Sequence, residues 1–450
     1  MTDRFGRASS NGGVAGVLRR PSRPRPPERP VAGKRGSPEA LRPPFAIIRI
    51  AFVLFVASIP FESFELGLGQ ASPSRLLGWL LCAVAVLQPD VCFRRPPHAY
   101  WWFAAFFAVF LVNGRVRGSL FEAGVVPLTQ LFVLLWLSSN LLRYERIFYA
   151  TLYTFVASCV GVALLELSGL TPNAHAVRGR MSALEEDPNS LGTVLALGLL
   201  TIIGISYGRR RGGRVAKAIV WFCFAMLSLG VVRTGSRGAF VALAAGIAVL
   251  VFREGPAWLR ARNAAIAAIA LIVLIVLAST WEVTRRRWQM TLQKGSMAGR
   301  EYIIPNAWHM FLEKPILGWA PGQNLVELGA REGMERRDTH NLYLLVLTED
   351  GLVGSIPYFI ALWLCLRSAW RARNLEFGLV PLALLVVVLV ANLSLTWQWR
   401  KLQWLVFGLA LASTGPILKR RLPPRVARLP ELRPQASWNE RRPAGAGGRV

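Results

Sequence analysis

The chain is poor in cysteine, histidine and acidic residues. Its 450 residues include five cysteines and four histidines, and 25 Asp and Glu stand against 53 Lys and Arg. Every cysteine lies in or at the edge of an apolar segment and no C-x-x-C pair occurs, which argues against a domain held by disulfides or by structural zinc. The sequence also lacks a P-loop and an Asp-x-Asp pair, so a site for a metal-bound nucleotide is not predicted.

Apolar residues are abundant instead. They make up 53% of the chain, which also has 16 tryptophans, and they form repeated runs of about 18 residues, a length that crosses a bilayer as a helix. We therefore predict an all-α integral membrane protein with about 12 transmembrane helices. The predicted spans are 44–60, 76–92, 99–113, 122–140, 147–168, 190–207, 216–232, 237–253, 263–280, 341–366, 378–396 and 402–418.

Half of the net charge of +28 comes from the two ends of the chain. Residues 1–43 and 419–450 each carry a net charge of +7 and are rich in Pro, Gly and Arg, so we interpret both as disordered basic tails. Tethered beside a bilayer, such tails bind anionic membrane lipids through their headgroups. We therefore expect no nucleic-acid partner.

The remaining basic residues predict an orientation. With both tails in the cytoplasm, the short inner loops hold 15 Lys and Arg and the short outer loops hold nine, in agreement with the positive-inside rule. This topology predicts nine helices in 44–280, a periplasmic loop containing short helices at 281–339, and three helices in 340–418. Because this loop is the longest polar interval between apolar segments, we expect a water-facing reactive site in it.

An active site on the outer face restricts the kind of substrate. Nucleotide-activated donors are made in the cytoplasm, so an outward-facing enzyme needs a donor that crosses the bilayer with its own leaving group, as a lipid diphosphate does. The loop and the helix ends beside it contain many arginines. A guanidinium binds phosphate oxygens in a bidentate fork and keeps its charge, so arginine suits such a donor.

Several short motifs follow one another in and around this loop. They lie at residues 234–239, 299–300, 313–318, 340–343 and 349–354. Together they resemble the O-antigen ligase and O-antigen polymerase superfamily of bacterial envelope glycosyltransferases, and the upstream Asp187-Pro188-Asn189 is similar to a Pro-Asn element of that family. The Trp-Ala-Pro-Gly run at 319–322 departs from the more glycine-rich turn that is usual there.

The resemblance implies an activity and a location. It implies that a glycan is transferred from an undecaprenyl-diphosphate-linked donor to an acceptor hydroxyl, at the periplasmic face of the bacterial inner (cytoplasmic) membrane. His340 would take the acceptor proton, since a neutral imidazole is available near pH 7. Arg237 and Arg300 would bind the donor diphosphate and stabilise the charge that grows on it. Direct displacement inverts the anomeric centre, and we expect neither a metal nor another cofactor.

Four more residues are candidates to support this site. Arg178 and Arg180 precede the Pro-Asn element and are placed to reach the donor phosphates, although simple solvation explains them equally well. Asn189 belongs to the Pro-Asn element, and Asn341 follows His340 directly.

Glu349 is a further candidate because of its depth. It lies nine residues beyond His340, which carries it well into the outer leaflet if the helix is continuous. A carboxylate there must face a cavity, pair with a cation or be protonated. Our hypothesis is an ion pair with Arg237 or Arg300, and the alternative is a helix break at Gly351 that leaves the carboxylate at the interface.

Residues 300–314 predict an amphipathic helix. Ile304, Trp308, Phe311 and Leu312 recur at helical spacing, so this helix is expected either to lie along the membrane surface as the roof of a lipid-entry groove or to pack against the membrane domain. The two arrangements are equally compatible with the pattern.

The acceptor remains open at this point. A ligase would use lipid A-core, a polymerase would use another lipid-linked glycan, and protein O-glycosylation is a third option within the class. From other classes, the chain is compatible with an exporter of lipid-linked sugars or with a scaffold for envelope-polysaccharide assembly. An exporter would place its polar residues near the middle of the bilayer, whereas here they gather at the predicted outer boundary, which favours the enzyme.

Overall fold

The fold is helical throughout the part of the chain that the computed structural model describes. That part comprises residues 42–64, 72–118, 124–169, 186–208, 213–251, 256–375 and 378–414, and it contains no strand. All the helices belong to one unit, Pro43–Val450. Both predicted tails lie almost wholly outside the described residues.

Sixteen α-helices are present in these ranges. They are α1 (Ala46–Ser58), α2 (Pro73–Ala85), α3 (Pro89–Cys92), α4 (His98–Val116), α5 (Val125–Leu141), α6 (Glu145–Ser168), α7 (Pro188–Gly208), α8 (Arg214–Thr234), α9 (Arg237–Val251), α10 (Ala257–Thr280), α11 (Glu282–Lys294), α12 (Arg300–Glu313), α13 (Gln323–Arg331), α14 (Leu342–Ala372), α15 (Leu379–Ala391) and α16 (Lys401–Ala412). Two short 3₁₀ turns occur at Ile59–Phe61 and Trp397–Trp399.

Twelve of these helices are apolar, and each overlaps one of the predicted spans. Within the described residues, six are long and apolar enough to cross a membrane, namely α4, α6, α7, α8, α10 and α14. The other six have between 10 and 17 residues, when α1 is counted together with the turn that follows it. The all-α membrane-type fold is therefore confirmed, while the number of spans and the outer position of the loop stay predictions.

The interior of the helical bundle is packed with large apolar side chains. α4 lies along α14, α5 lies along α16, and α7 packs between α8, α9 and α15. Phe103 of α4 stacks on Phe407 of α16 with ring centroids 5.4 Å apart, and both rings are buried. By contrast, α10 exposes most of its apolar residues, as expected for a helix whose natural neighbour is lipid.

α14 is interrupted at Gly351, as the alternative prediction for this region stated, but the carboxylate of Glu349 is buried within the protein and not left at the surface. Gly351 has φ +57° and ψ −158°, a conformation that is open to glycine but strained for other residues. The loop before α13 fills the gap: Trp319 and Ala320 donate their N–H groups to the carbonyls of Thr348 and Glu349, at 2.8 and 2.9 Å. Backbone groups that the break frees are thereby satisfied.

α12 packs against α13 and α14, in agreement with the second of its two predicted arrangements. Its buried face contains Ile303, Ala307, Met310 and Phe311. Trp308 and Leu312, which the sequence places on one stripe with Phe311, are exposed. The packed face is therefore rotated by about one residue from the predicted stripe.

A buried polar bridge fixes the beginning of α7. Arg400 donates from Nη1 and Nη2 to the two carboxylate oxygens of Glu186, at 2.9 and 2.6 Å. Beside it, Lys401 Nζ donates to Glu62 Oε1 at 2.8 Å. This paired arrangement satisfies charges that would be costly to bury alone, and it places the adjacent Asp187 beside the helix ends that carry the candidate site.

Candidate active site

Three arginines from different elements meet at the end of the bundle where α7, α9 and α14 begin. Arg237 begins α9, Arg287 lies in α11, and Arg300 begins α12. We call these residues the arginine cluster.

The arginine cluster is held by backbone carbonyls. Arg237 Nη1 donates to the carbonyl oxygens of Arg287 and Ser296, at 3.3 and 3.2 Å. Arg287 Nη1 donates to the carbonyl of Gly235 at 3.4 Å, and Arg300 Nη2 donates to that of Ser394 at 2.9 Å. Such bonds fix the position of a guanidinium without neutralising its charge.

Among the described residues, the charges of the cluster are not matched by ion pairs. No carboxylate within the described residues forms an ion pair with any of the three, and the buried Nε of Arg300 has no hydrogen-bond partner there. Burial lowers the pKa of Arg287 below its usual range, and repulsion by Arg237 and Arg300 lowers it further. Burial and Arg237 likewise lower the pKa of Arg300, against the attraction of Asp187 and Asp338. Since arginine stays charged at neutral pH, the cluster is a preformed place for an anion.

His340 stands beside this cluster on a strained piece of backbone. Its φ is +48°, which is uncommon outside glycine and occurs often at functional sites. Asp338 stabilises the turn, because its Oδ1 accepts the backbone N–H of His340 at 3.1 Å. The imidazole is 41% exposed, so it is accessible from the surface.

The electrostatic surroundings of His340 favour its neutral form. Burial lowers the pKa of the imidazole, Asp338 opposes this effect, and the positive charges of Arg300 and Arg337 lower the pKa further. A histidine with a lowered pKa is an unprotonated base at pH 7. Contacts to one loop place the imidazole and the cluster at the same end of the bundle, since Arg300 bonds to the carbonyl of Ser394 and Asn341, next to His340, bonds to that of Leu393.

The structure thereby places His340, Arg237 and Arg300, the three candidates from the motifs, at one end of the bundle. Asn189 is nearby on the first turn of α7, where it donates from its backbone N–H to Asp187 Oδ2 at 3.0 Å. Arg178 and Arg180 lie outside the described residues, so their predicted contribution stays a prediction.

Asn341 has a structural task in this arrangement. Its Oδ1 accepts the backbone N–H groups of Tyr343 and Leu344, at 3.0 and 3.1 Å, which makes it the N-cap of α14. Its Nδ2 donates to the carbonyl of Leu393 at 3.3 Å. The cap sets where α14 begins and hence where His340 is held.

The predicted ion pair of Glu349 is wrong. Glu349 is buried, but its Oε1 accepts the backbone N–H of Gly322 at 3.3 Å. Arg237 and Arg300 bond to the carbonyls described above instead. The reason is the break in α14: the loop that fills it brings its own N–H donors next to the carboxylate.

The sequence did not single out Arg287 or Asp338. Arg287 is one of three consecutive arginines in α11, and the rotation of the helix about its axis determines which one faces inward. Its neighbours Arg285 and Arg286 are exposed, and Arg286 pairs with Glu282. Asp338 could have been predicted, since a carboxylate two residues before a proposed histidine base is well placed to orient that histidine.

Comparison with known families gives a match to part of the chain. Residues 222–359 match a family model described as O-antigen ligase, and this range contains the whole arginine cluster together with His340. Asp187 and Asn189 lie upstream of it. No curated protein matches the chain. The resemblance stated from the motifs is thus confirmed over this segment, and together with the apolar helices it indicates an O-antigen ligase- or polymerase-like bacterial membrane protein.

Proposed function

We propose, starting from this O-antigen ligase match, that the protein is an inverting, metal-independent glycosyltransferase. It transfers a glycan from an undecaprenyl-diphosphate-linked donor to an acceptor hydroxyl at the periplasmic face of the inner membrane, in the synthesis of lipopolysaccharide or another surface polysaccharide. The observation that carries the proposal is the cluster of Arg237, Arg287 and Arg300, without ion-pair partners in the described residues, beside an accessible His340.

The donor diphosphate occupies the arginine cluster in this proposal. A diphosphate brings several oxygens, and guanidinium groups from three different elements can bind them from more than one side. During transfer the bond between the anomeric carbon and the phosphate oxygen breaks, and negative charge grows on the leaving undecaprenyl diphosphate. Fixed positive charges stabilise that transition state more than the bound donor.

His340 acts on the acceptor. Its neutral imidazole removes the proton from the acceptor hydroxyl while that oxygen forms the new bond to the anomeric carbon from the opposite side, so the configuration inverts. With Nδ1 turned toward Asp338, Nε2 is the nitrogen available to act as base. The carboxylate of Asp338 then stabilises the imidazolium that forms, and general base catalysis of this kind contributes roughly 10²- to 10⁴-fold in rate.

A reconstituted transfer assay tests the proposal. Purified protein receives an undecaprenyl-diphosphate-linked glycan and, in separate reactions, lipid A-core or a second lipid-linked glycan. We expect transfer to one of them, and a loss of about 10²- to 10⁴-fold in His340→Ala. His309→Ala is the matched control, since His309 is an exposed residue of α12.

Two outcomes would contradict the proposal. Transfer that survives in His340→Ala would remove the assigned base. Passage of the donor across proteoliposome membranes without transfer to any acceptor would identify an exporter instead. The acceptor that reacts decides between ligase and polymerase, because both share the same hydroxyl chemistry.

A further inference from the structure

A second site of different chemistry lies at the opposite end of the bundle. A groove of about 380 Å³ runs between α1 and α6. Its walls are apolar and include Ile50, Val53, Leu54 and Ile147, and two guanidinium groups, those of Arg49 and Arg146, border it.

The position of this groove follows from the direction of the two helices. The lining residues come from residues 46–54 of α1 and the first turns of α6, so both helices begin at this end. Beyond the other end of α1, Ser63 and Glu62 bond to Arg400 and Lys401, next to the candidate active site. On the predicted topology, the groove therefore opens into the cytoplasmic leaflet.

The two arginines at the groove have no ion-pair partner in the part of the chain that the structure describes. Neither Arg49 nor Arg146 forms a side-chain hydrogen bond with another described residue. Both arginines are exposed. Ile50 is 59% and Leu54 is 47% exposed, so the apolar wall is also open to whatever lies beside the helices.

A lipid fits these two properties better than a protein. The exposed wall belongs to helices of a membrane-type bundle, where acyl chains are the natural neighbours. A second copy of this chain docking groove to groove would set the two arginines against their own counterparts, which is unfavourable. An anionic headgroup, in contrast, supplies the charge that Arg49 and Arg146 lack.

We propose that the groove between α1 and α6 binds one anionic phospholipid of the cytoplasmic leaflet. Its phosphate contacts Arg49 and Arg146, and an acyl chain lies along Ile50, Val53, Leu54 and Ile147. The site is separate from the arginine cluster and does not depend on the function proposed for it.

Photocrosslinking of a defined lipid tests this site. The full chain is placed in phosphatidylcholine nanodiscs that contain phosphatidylglycerol with a photoactivatable acyl chain, and labelled peptides are mapped. We expect labelling of residues 46–54 and 146–150, and weak labelling there by a phosphatidylcholine probe with the same chain. The double variant Arg49→Gln/Arg146→Gln should lower labelling by about tenfold or more, given the usual strength of basic residues at an anionic membrane.

Two further variants make the test specific. Arg260→Gln/Arg262→Gln removes two exposed arginines from the first turns of α10, outside the groove, and should leave the labelling of α1 and α6 unchanged. Arg49→Lys/Arg146→Lys keeps both charges and should retain most of the labelling, which guards against a loss caused by misfolding. Equal labelling by the two lipid probes, or full labelling in the Gln double variant, would overturn the proposal.

Discussion

Asp338 Oδ2 lies 3.8 Å from Nδ1 of His340, while its Oδ1 accepts the backbone N–H of the same histidine at 3.1 Å. Thr396 holds the carboxylate from the other side by donating from its hydroxyl to Oδ2 at 2.5 Å. One side chain thus controls both the backbone and the charge of the proposed base. This relationship gives the first prediction.

Asp338→Asn should lower transfer and shift its pH dependence. The substitution keeps the size of the side chain but removes the charge that stabilises the imidazolium. We expect a loss of roughly 10- to 100-fold, which lies between the limits for charges 4 Å apart in bulk water and near a protein surface. Since Asp338 raises the pKa of His340, its removal lowers that pKa, and the acid limb of the pH–rate profile moves to lower pH. Glu335→Gln, an exposed neighbour, is the control, and an unchanged acid limb in Asp338→Asn would contradict the assignment.

The wild-type pH–rate profile carries the same information. In the proposed mechanism activity requires unprotonated His340, and burial lowers the pKa of this imidazole below its ordinary value of about 6.5. We therefore expect the midpoint of the acid limb to lie below pH 6.5. A midpoint above that value would contradict the assignment of His340 as the base.

Arg287→Gln should weaken transfer, whereas Arg286→Gln should not. Arg287 belongs to the cluster and Arg286 is exposed and paired with Glu282, so the two substitutions remove the same charge from adjacent positions. A charged hydrogen bond to the leaving diphosphate corresponds to roughly 10- to 100-fold in rate. The loss should appear mainly in kcat, because the charge on the diphosphate grows in the transition state. Equal effects of the two substitutions would show that only the overall charge of α11 matters.

Gly351→Ala should destabilise the protein more than Gly333→Ala. Both glycines have positive φ, so alanine is strained at either position, by roughly 1–3 kcal/mol. A Cβ on Gly351 would also meet the carbonyl oxygen of Ile316 at 2.3 Å, while one on Gly333 has nothing within 4 Å. Thermal unfolding in detergent should show a clearly larger drop in Tm for Gly351→Ala, and matching values would mean that the loop does not need to fit into the break.

The orientation of the loop can be checked by labelling. A cysteine introduced at Glu335, which is exposed in the segment before His340, should react with a membrane-impermeant maleimide added to the periplasmic side. A cysteine at Asn374, beyond the far end of α14, should react only after the inner membrane is opened. The reverse pattern would place the arginine cluster in the cytoplasm and would remove the reason for a lipid-linked donor. The native cysteines are at least partly buried within the bundle, so their background should be low.

The sequence predicted what depends on local patterns. Apolar run lengths located the twelve apolar helices of the described residues, and the motif residues His340, Arg237 and Arg300 lie at one end of the bundle. The sequence prediction failed where a residue's partner comes from a distant segment. Glu349 accepts a hydrogen bond from the backbone of Gly322 because a loop fits into the break at Gly351. The apolar pattern of α14 contains no information about that loop.

For the same reason, the sequence did not predict which face of a helix is buried. Helical spacing showed that α12 is amphipathic, but the face that packs depends on the shapes of α13 and α14. In α11, three consecutive arginines look alike in sequence, and only the packed helix turns Arg287 toward Arg237.

The contact between Arg300 and Ser394 has a consequence for protein engineering. Ser394 and Thr396, which hold Arg300 and Asp338, both lie downstream of the family-matched range 222–359, and Asp187 lies upstream of it. A chimera that carries only residues 222–359 into a related protein contains the arginines and the histidine but lacks the residues that bond to Arg300 and Asp338. To exchange donor or acceptor preference between such proteins, we therefore expect that this range must be transferred together with the loop between α15 and α16.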